Sequence, residues 1–556
     1  MRIALLQLNA APSCPEANGR AIEKAYIESI ARGADLAVAP EMAVPGRLHL
    51  DRQSDASLMS RVEEENRRLQ ALSRIVPLIF GTCCLENRGI IQKELWCCER
   101  GLLRAKARGN TGAWYTDHSG CPRFEPGDGT HMLFDFFGGK IGLMLGEAHQ
   151  TLLEELSGIG VSLIINVVAS PCALASFAPD GRIPSWGLPS VKAARRAFLT
   201  NCSQTYSVPI AHVNAIGAEG PVMFDGGSCL VFPDGTIQCA DDFQGGVTIV
   251  DTETKGHSLS CGAEYSEGAW LRKALAMGIR DNLSKQGLES VVVGLSGGID
   301  SAVVAALAAE AAAPEKVLGV ALPTRFTSAE SRELAEGQAW TLGIKYLELD
   351  ADAPFSATSS SLQRAFPDRR FSLTDENLQS RCRGALLMAL TTEPDAHRLL
   401  DSDRCVVLCT GNKSEAATGY FTMHGDAIGA FSVLGDLLKT RVYTLAREFE
   451  CAIPKKVLTR PPTAELRPGQ TDESSLLPYR WLDAILGALL EAGRPVECLH
   501  DDLGEVLDGY DLDGARIAIP RVLMLMENSR FKRRHLPFAL NVTHGAFGSA
   551  YSFPFM

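Results

Sequence analysis

Residues 291–308 read VVVGLSGGIDSAVVAALA, and this stretch constrains the fold more than any other in the chain. Five apolar or small residues lead into a Ser-Gly-Gly turn. Asp300 and Ser301 follow, and then an Ala-rich run begins. A short β-branched run reads as a buried strand, and Ala is the best helix former. A glycine turn between them lets backbone approach a ligand closely, and the free N–H groups at a helix start favour an anion. The stretch is therefore a candidate phosphate or pyrophosphate cradle. It lacks both the GK[ST] ending of the usual phosphate loop and the GxGxxG spacing of the dinucleotide fingerprint.

At 556 residues the chain is too long for one core, and two to four domains are expected. A net charge of −12 argues against broad binding to nucleic acid or to an anionic membrane. The 16 cysteines are scattered, with adjacent pairs at Cys83-Cys84 and Cys97-Cys98 and no CxxC. That pattern predicts no zinc site and free buried thiols in a reducing cytoplasm. The first ten residues alternate like a strand rather than forming a secretion leader. Residues 158–179 carry no charge, but polar residues and Pro171 interrupt them, which predicts a buried strand running into a loop rather than a membrane span.

Residues 1 to about 252 alternate strands and helices. Strands are expected at 2–8, 34–39, 77–81, 142–145, 162–168 and 208–214, a helix at 21–32, and a hairpin at Pro233-Asp234-Gly235. Four stretches then resemble the nitrilase, or carbon–nitrogen hydrolase, superfamily: LAVAPEMAVPG around Glu41, RFEPG at 123–127, NVVASP at 166–171 and FDGGS at 224–228. The resemblance implies an α/β sandwich. It also implies a cysteine thiolate that attacks an amide, a carboxylate base and a lysine that stabilises the oxyanion. Glu41 stands in the position of the base.

The chain departs from that pattern at the nucleophile. The expected Cys-Glu pair reads Gly146-Glu147, and glycine has no side chain to attack with. The family spacing from Pro126 places the lysine at Gly109; Lys106 is nearby and would serve only with an insertion. The arginine that usually follows the SP turn is missing. The expectation is a glutaminase-like domain unable to form a thioester, with Glu41 vestigial. Cys121 and Cys172 are the alternative nucleophiles, both far from the elbow, where a misplacement of about 1 Å already costs roughly a hundredfold.

A polar Gly/Ser-rich stretch marks the domain boundary, with 253–265 as linker and 266–556 as the second domain. Strand–helix–strand succession there predicts a doubly wound parallel sheet, with ligands at the carboxyl ends of strands. SGGIDS at 296–301 resembles the pyrophosphate loop of ATP pyrophosphatases. ENLQSR at 376–381, TGNKSE at 410–415, YFTMHGD at 420–426, RPPTAELRPGQ at 460–470 and FKRR at 531–534 are similar to the synthetase domain of long, two-domain NAD synthetases.

What the resemblance implies is ATP-dependent amidation of nicotinic acid adenine dinucleotide (deamido-NAD) through an acyl-adenylate, with ATP and Mg²⁺ required. Ser296, Gly297, Gly298, Asp300, Ser301 and Thr410 would bind ATP, and Asp300 and Glu415 would ligate Mg²⁺. Asn377, Glu415, Tyr420, Phe421, Thr422, Met423 and Lys532 would line the deamido-NAD site, Lys532 also neutralising developing charge. Helix capping is the plain alternative for Ser301 and Thr410, and a solvated basic run for 532–534. The partners implied are deamido-NAD, ATP, and ammonia or glutamine, in a homo-oligomer without nucleic acid or membrane. Ammonia is expected to be free rather than drawn from glutamine. Glutamine with a non-standard nucleophile, and a non-catalytic nucleotide-binding scaffold, are the competing readings.

Overall fold

The computed structural model describes residues 1–46, 56–85, 91–108, 131–176, 184–185, 187–254 and 265–547. These form two compact units. One is drawn from Met1–Cys172 and Val191–Glu264, the other from Ala173–Ser190 and Tyr265–Pro554.

Among the described residues the first unit carries fourteen strands. These are β1 (Arg2–Gln7), β2 (Leu36–Val38), β3 (Leu78–Leu85), β4 (Ile91–Glu99), β5 (Leu102–Arg108), β6 (His131–Phe136) and β7 (Gly139–Leu145). Then come β8 (Leu163–Val168), β9 (Ile210–Asn214), β10 (Ile216–Glu219), β11 (Val222–Asp225), β12 (Cys229–Val231), β13 (Ile237–Cys239) and β14 (Gly246–Asp251). One six-stranded sheet runs β14-β1-β2-β3-β4-β5, another β13-β12-β9-β8-β7-β6, and β10 and β11 form a separate hairpin.

Alternation decides the packing. Ile3 and Leu5 of β1, with Leu95 and Cys97 of β4, meet Leu143, Ile165 and Val213 of the second sheet. Ala4 and Leu6 turn instead toward Ile22 and Leu69, carried on the helices α1 (Pro15–Ala31) and α2 (Ala56–Leu72). The helices α3 (Gln150–Gly158) and α4 (Val191–Tyr206) contribute Leu153 and Leu199 to the core outside the second sheet. The expected α/β sandwich is present, with helices on both outer faces. The uncharged stretch expected to hold a strand contains β8, buried throughout.

The second unit holds β15 (Ser290–Gly294), β16 (Val317–Ala321), β17 (Lys345–Glu348), β18 (Cys405–Cys409) and β19 (Phe431–Ser432), all parallel, in the order β17-β16-β15-β18-β19. After β15 the chain adds strands on one side and then returns to add β18 on the other. The carboxyl ends of β15 and β18 thus flank a topological switch point, where parallel sheets open a crevice. Helices α5 (Glu267–Lys285), α6 (Ile299–Ala312), α7 (Ala329–Leu342), α8 (Asp352–Ala365), α9 (Leu373–Leu390), α10 (Pro394–Leu400), α11 (Lys413–Thr418) and α12 (Lys439–Arg447) accompany the sheet. Every residue of α6 from Ala302 to Ala309 is buried, as its apolar, Ala-rich composition requires. A second core gathers Leu482, Ile485, Leu503, Ala515 and Val522 from the later helices.

Thirteen described cysteines are free. Cys239 is disulfide-bonded, against the expectation of free thiols throughout. Among the described residues no helix is long and apolar enough to cross a membrane.

Candidate functional site

At the end of β15 the chain turns through Leu295–Gly298 into α6. The Ser296 N–H donates to Ser301 Oγ at 3.2 Å, the Gly298 N–H to Ser296 Oγ at 3.2 Å, and Ser301 Oγ to the Gly298 carbonyl at 3.1 Å. The loop is closed on itself by its own hydroxyls; Ser301 satisfies no first-turn N–H of α6, whose N-cap is Gly298, and it faces the crevice. Gly297 has φ +73°, and a Cβ there would fall 2.4 Å from the Ser331 carbonyl oxygen, so only glycine lets the turn lie on the start of α7.

Across the crevice, β18 delivers Thr410 and Gly411 to the start of α11. Asn412 and Glu415 form a reciprocal capping box: Asn412 Oδ1 accepts from the Glu415 N–H at 3.0 Å, and Glu415 Oε2 from the Asn412 N–H at 3.1 Å. The Asn412 amide also donates to Asp300 Oδ1 at 3.1 Å. One residue therefore binds both carboxylates that the sequence nominated for the metal, Asp300 through its side-chain amide and Glu415 through its backbone N–H. The other Asp300 oxygen is paired with Lys439 Nζ.

Burial, then the nearby Asp300, pushes Glu415 up to about 8. Burial opposes the Lys439 ammonium, but Asp300 and Glu415 outweigh it and hold its pKa above the ordinary value. Burial also raises Asp472, partly offset by Lys439. The oxygen-only donor set of Asp300 and Glu415 suits a hard cation. Among the described residues no cluster of three or more metal-ligating side chains occurs, so Mg²⁺ would complete its shell with phosphate and water, as it usually does.

On the other side of the crevice, α9 meets the loop 419–426. Thr422 Oγ1 donates to Asn377 Oδ1 at 2.7 Å, and Ser380 Oγ to Asp426 Oδ1 at 2.8 Å. Gly384 makes this possible, since a Cβ there would lie 2.5 Å from the Gly425 carbonyl oxygen. Lys532 Nζ donates to the carbonyls of Gly419 at 2.8 Å and Phe421 at 3.0 Å, and burial lowers its pKa.

A cavity of about 380 Å³ joins the two sides. Ser296, Gly298, Asp300, Ser301, Thr410, Glu415, Asn377, Tyr420, Phe421, Thr422 and Lys532 all line it. Gly297 and Met423 do not: Gly297 packs behind the loop, and the Met423 carbonyl accepts from Arg381 Nε at 3.3 Å. Lys439, Asp472 and Arg383 line the cavity as well and were not singled out from sequence. Nothing local marks Lys439, whose partner Asp300 lies 139 positions away.

In the first unit, Glu41 follows β2. Its Oε2 accepts from the Ala169 N–H at 3.1 Å and its Oε1 from Lys93 Nζ at 2.5 Å; both side chains are buried. Gly146 follows β7 at φ +91°. Its N–H donates to the Val167 carbonyl at 2.9 Å, and its own carbonyl accepts from Asn166 Nδ2 at 2.8 Å. The turn holds residue 146 in a conformation that strains any residue but glycine, and it carries no side chain there.

Lys106 pairs with Glu94 rather than with Glu41. It sits across from Trp96 in the ladder, 4.3 Å over that ring, and donates to Glu94 Oε2 at 3.1 Å. Trp96 belongs to the core under α1 and α2, whereas Leu95, on the Lys93 side of the strand, faces the other sheet. Cys172 is buried and its thiol pKa is raised well above the ordinary value by burial, which suits a structural thiol. Gly109, Cys121 and the 123–127 motif lie outside the described residues.

The NAD synthase family profile matches residues 271–536. Over 99% of its length the chain is 32% identical to a glutamine-dependent NAD(+) synthetase of Synechocystis, covering 98% of that protein. It is 30% identical to the enzyme of that name from Thermotoga maritima over its full length, covering 98% of the relative. A solved glutamine-dependent NAD+ synthetase of Acinetobacter baumannii, in complex with ADP, superposes with a TM-score of 0.73 at 26% identity, covering 99% of this chain and 98% of that one. One from Cytophaga hutchinsonii, at 18% identity, shares the fold with a TM-score of 0.78, covering 100% and 97%. The chain belongs to the glutamine-dependent NAD(+) synthetase family.

Proposed function

We propose that this chain amidates deamido-NAD to NAD with ATP and free ammonia, its first unit no longer cleaving glutamine. The NAD synthetase activity is that of its family, a ligase that forms AMP and pyrophosphate. The observation that carries the ammonia reading is Gly146: the elbow is intact, and no atom there can attack an amide.

The chemistry follows from the cavity. The first-turn N–H groups of α6, behind a loop whose own Ser296 and Gly298 N–H groups are held by hydroxyls, would take the negative charge that grows as pyrophosphate departs. Mg²⁺ held by Asp300 and Glu415 would neutralise phosphate oxygens. Lys439 places a fixed cation beside that loop. Asn377, Thr422 and Lys532 hold the dinucleotide so that its nicotinate carboxylate oxygen meets the α-phosphorus. The carboxylate–phosphorus bond forms as the bond to pyrophosphate breaks. Ammonia then attacks the acyl carbon, AMP leaves with the C–O electron pair, and one proton is lost to solvent or a nearby carboxylate.

A second reading, with glutamine as donor, is favoured by the name the relatives carry and by the buried Glu41–Lys93 pair. It requires a nucleophile other than residue 146. The test is NAD formation by the purified full chain with ammonium or with glutamine, AMP and pyrophosphate being measured alongside. Turnover with ammonium alone is the expected result. Equal turnover with glutamine overturns the ammonia reading, and no turnover with either overturns the whole proposal.

A further inference from the structure

Helix α12 begins at Lys439, and its cap residue, Leu438, has no side-chain group to satisfy the first N–H groups. Two distant residues do so instead. The Lys439 N–H donates to Ser414 Oγ at 2.9 Å, and the Thr440 N–H to Asp483 Oδ2 at 2.7 Å. Ser414 in turn donates to Asp483 Oδ1 at 2.6 Å. Ser414 and Asp483 are both buried, and neither lines the cavity. Asp483 lies on the helix Tyr479–Leu486, one turn after Tyr479. The Tyr479 ring lies 5.5 Å from Lys439 Nζ, and its hydroxyl donates to Asp472 Oδ2 at 3.2 Å. Residues four apart share a helix face, so one helix holds the backbone of Lys439 at one position and flanks its ammonium at another.

A local Ser or Asp at position 438 would cap α12 without burying a carboxylate. The arrangement used here instead keeps a carboxylate out of water, and burial pushes Asp483 up to about 6. What the remote cap adds is a rigid tie between the TGNKSE helix, which bears Glu415, and the first residue of α12, which bears the cation on Asp300.

We propose that Ser414 and Asp483 are positioning residues for nucleotidyl transfer, fixing the start of α12 so that the Lys439 ammonium is held against Asp300 beside the pyrophosphate loop. The inference rests on the synthetase reading of this cavity and goes beyond it by assigning a role to two groups that touch no substrate.

The experiment is deamido-NAD-dependent ATP–pyrophosphate exchange in the full chain, with deamido-NAD binding measured calorimetrically without ATP. Ser414→Ala and Asp483→Asn are each expected to lower the exchange rate roughly tenfold to a hundredfold, with deamido-NAD affinity within about twofold of the parent. Each combined with Lys439→Ala is expected to be no worse than Lys439→Ala alone, because both act through that lysine. Two variants are used so that a folding failure in one leaves the other to decide. Unchanged exchange, parallel loss of exchange and deamido-NAD affinity, or additive losses with Lys439→Ala would each overturn the inference while leaving the synthetase reading intact. Absence of exchange in the parent chain would instead remove that reading and this one together.

Discussion

Lys93 Nζ stands 2.5 Å from Glu41 Oε1, so the buried carboxylate of the first unit keeps a lysine beside it, on a strand where the family spacing did not place one. The described ladder of β4 and β5 ends at Glu94↔Arg108, and Lys93 is the next residue of β4. A buried carboxylate and a lysine are therefore adjacent, and residue 146, where the family resemblance expects a thiol, is glycine.

Gly146→Cys is accordingly expected to give a thiol that a glutamine-like alkylating agent labels and that releases ammonia from glutamine above the parent background. The φ of +91° sets a strain of about 1–3 kcal/mol against it. Adding Lys93→Ala should lower that gained activity by roughly a hundredfold, the cost of losing an oxyanion donor. Labelling mapped by mass spectrometry and ammonia release are the measurements; a variant no more reactive than its parent would show that Glu41 and Lys93 form only a structural pair.

Gly297→Ala meets both a backbone oxygen at 2.4 Å and a left-handed φ. The expected outcome is a rise in the KM for ATP of at least about tenfold, from displacement of the loop N–H groups, with deamido-NAD binding little changed.

Gly384→Ala acts on the other side of the cavity, driving α9 away from Gly425. It should raise the KM for deamido-NAD more than that for ATP, because Asn377 and Thr422 are separated while the 296–301 loop stays in place. Steady-state kinetics with each substrate varied in turn distinguishes the two glycine variants.

Lys413 is fully buried and donates to Asp436 Oδ1 at 2.9 Å, Glu491 Oε1 at 3.1 Å and Thr543 Oγ1 at 2.8 Å. Lys413→Met would leave buried Asp436 without its cation and Glu491 with Arg441 alone, a loss of about 3–5 kcal/mol. Chemical denaturation should show it as a lower midpoint for the second unit.

Asp483 bears on pH. Its folded pKa of about 6 lies above its ordinary 3.8 because the carboxylate is buried. Between those values the folded chain keeps a proton that the unfolded chain has lost. The stability this group contributes is thus present below about 3.8 and is lost as pH rises through 6, an effect on the order of 3 kcal/mol. The Tm of the parent minus that of Asp483→Asn should fall between about pH 4 and pH 7 and then level off. A flat difference would show that the carboxylate is solvated.

The order of strands and helices, the glycine turn before α6 and the glycine at position 146 were all legible in the chain itself. Each depends on residues within a few positions of one another, where φ/ψ preference, capping and hydrophobic period act. Tertiary structure decided the rest. It put Lys439 on Asp300, bridged Asp300 to Glu415 through Asn412, turned Lys106 to the outer face of its sheet and set Lys93 on Glu41. It also tied residues 173–176 into the second unit, where the Leu174 N–H donates to the Val542 carbonyl at 2.8 Å and Arg441 donates to the Ala175 carbonyl at 3.0 Å. Which charge meets which depends on strand order and on the parity of a side chain along its strand, and one residue of register reverses that parity. Local sequence carries no record of either, so the partners of a buried ion are known only once the sheets are assembled.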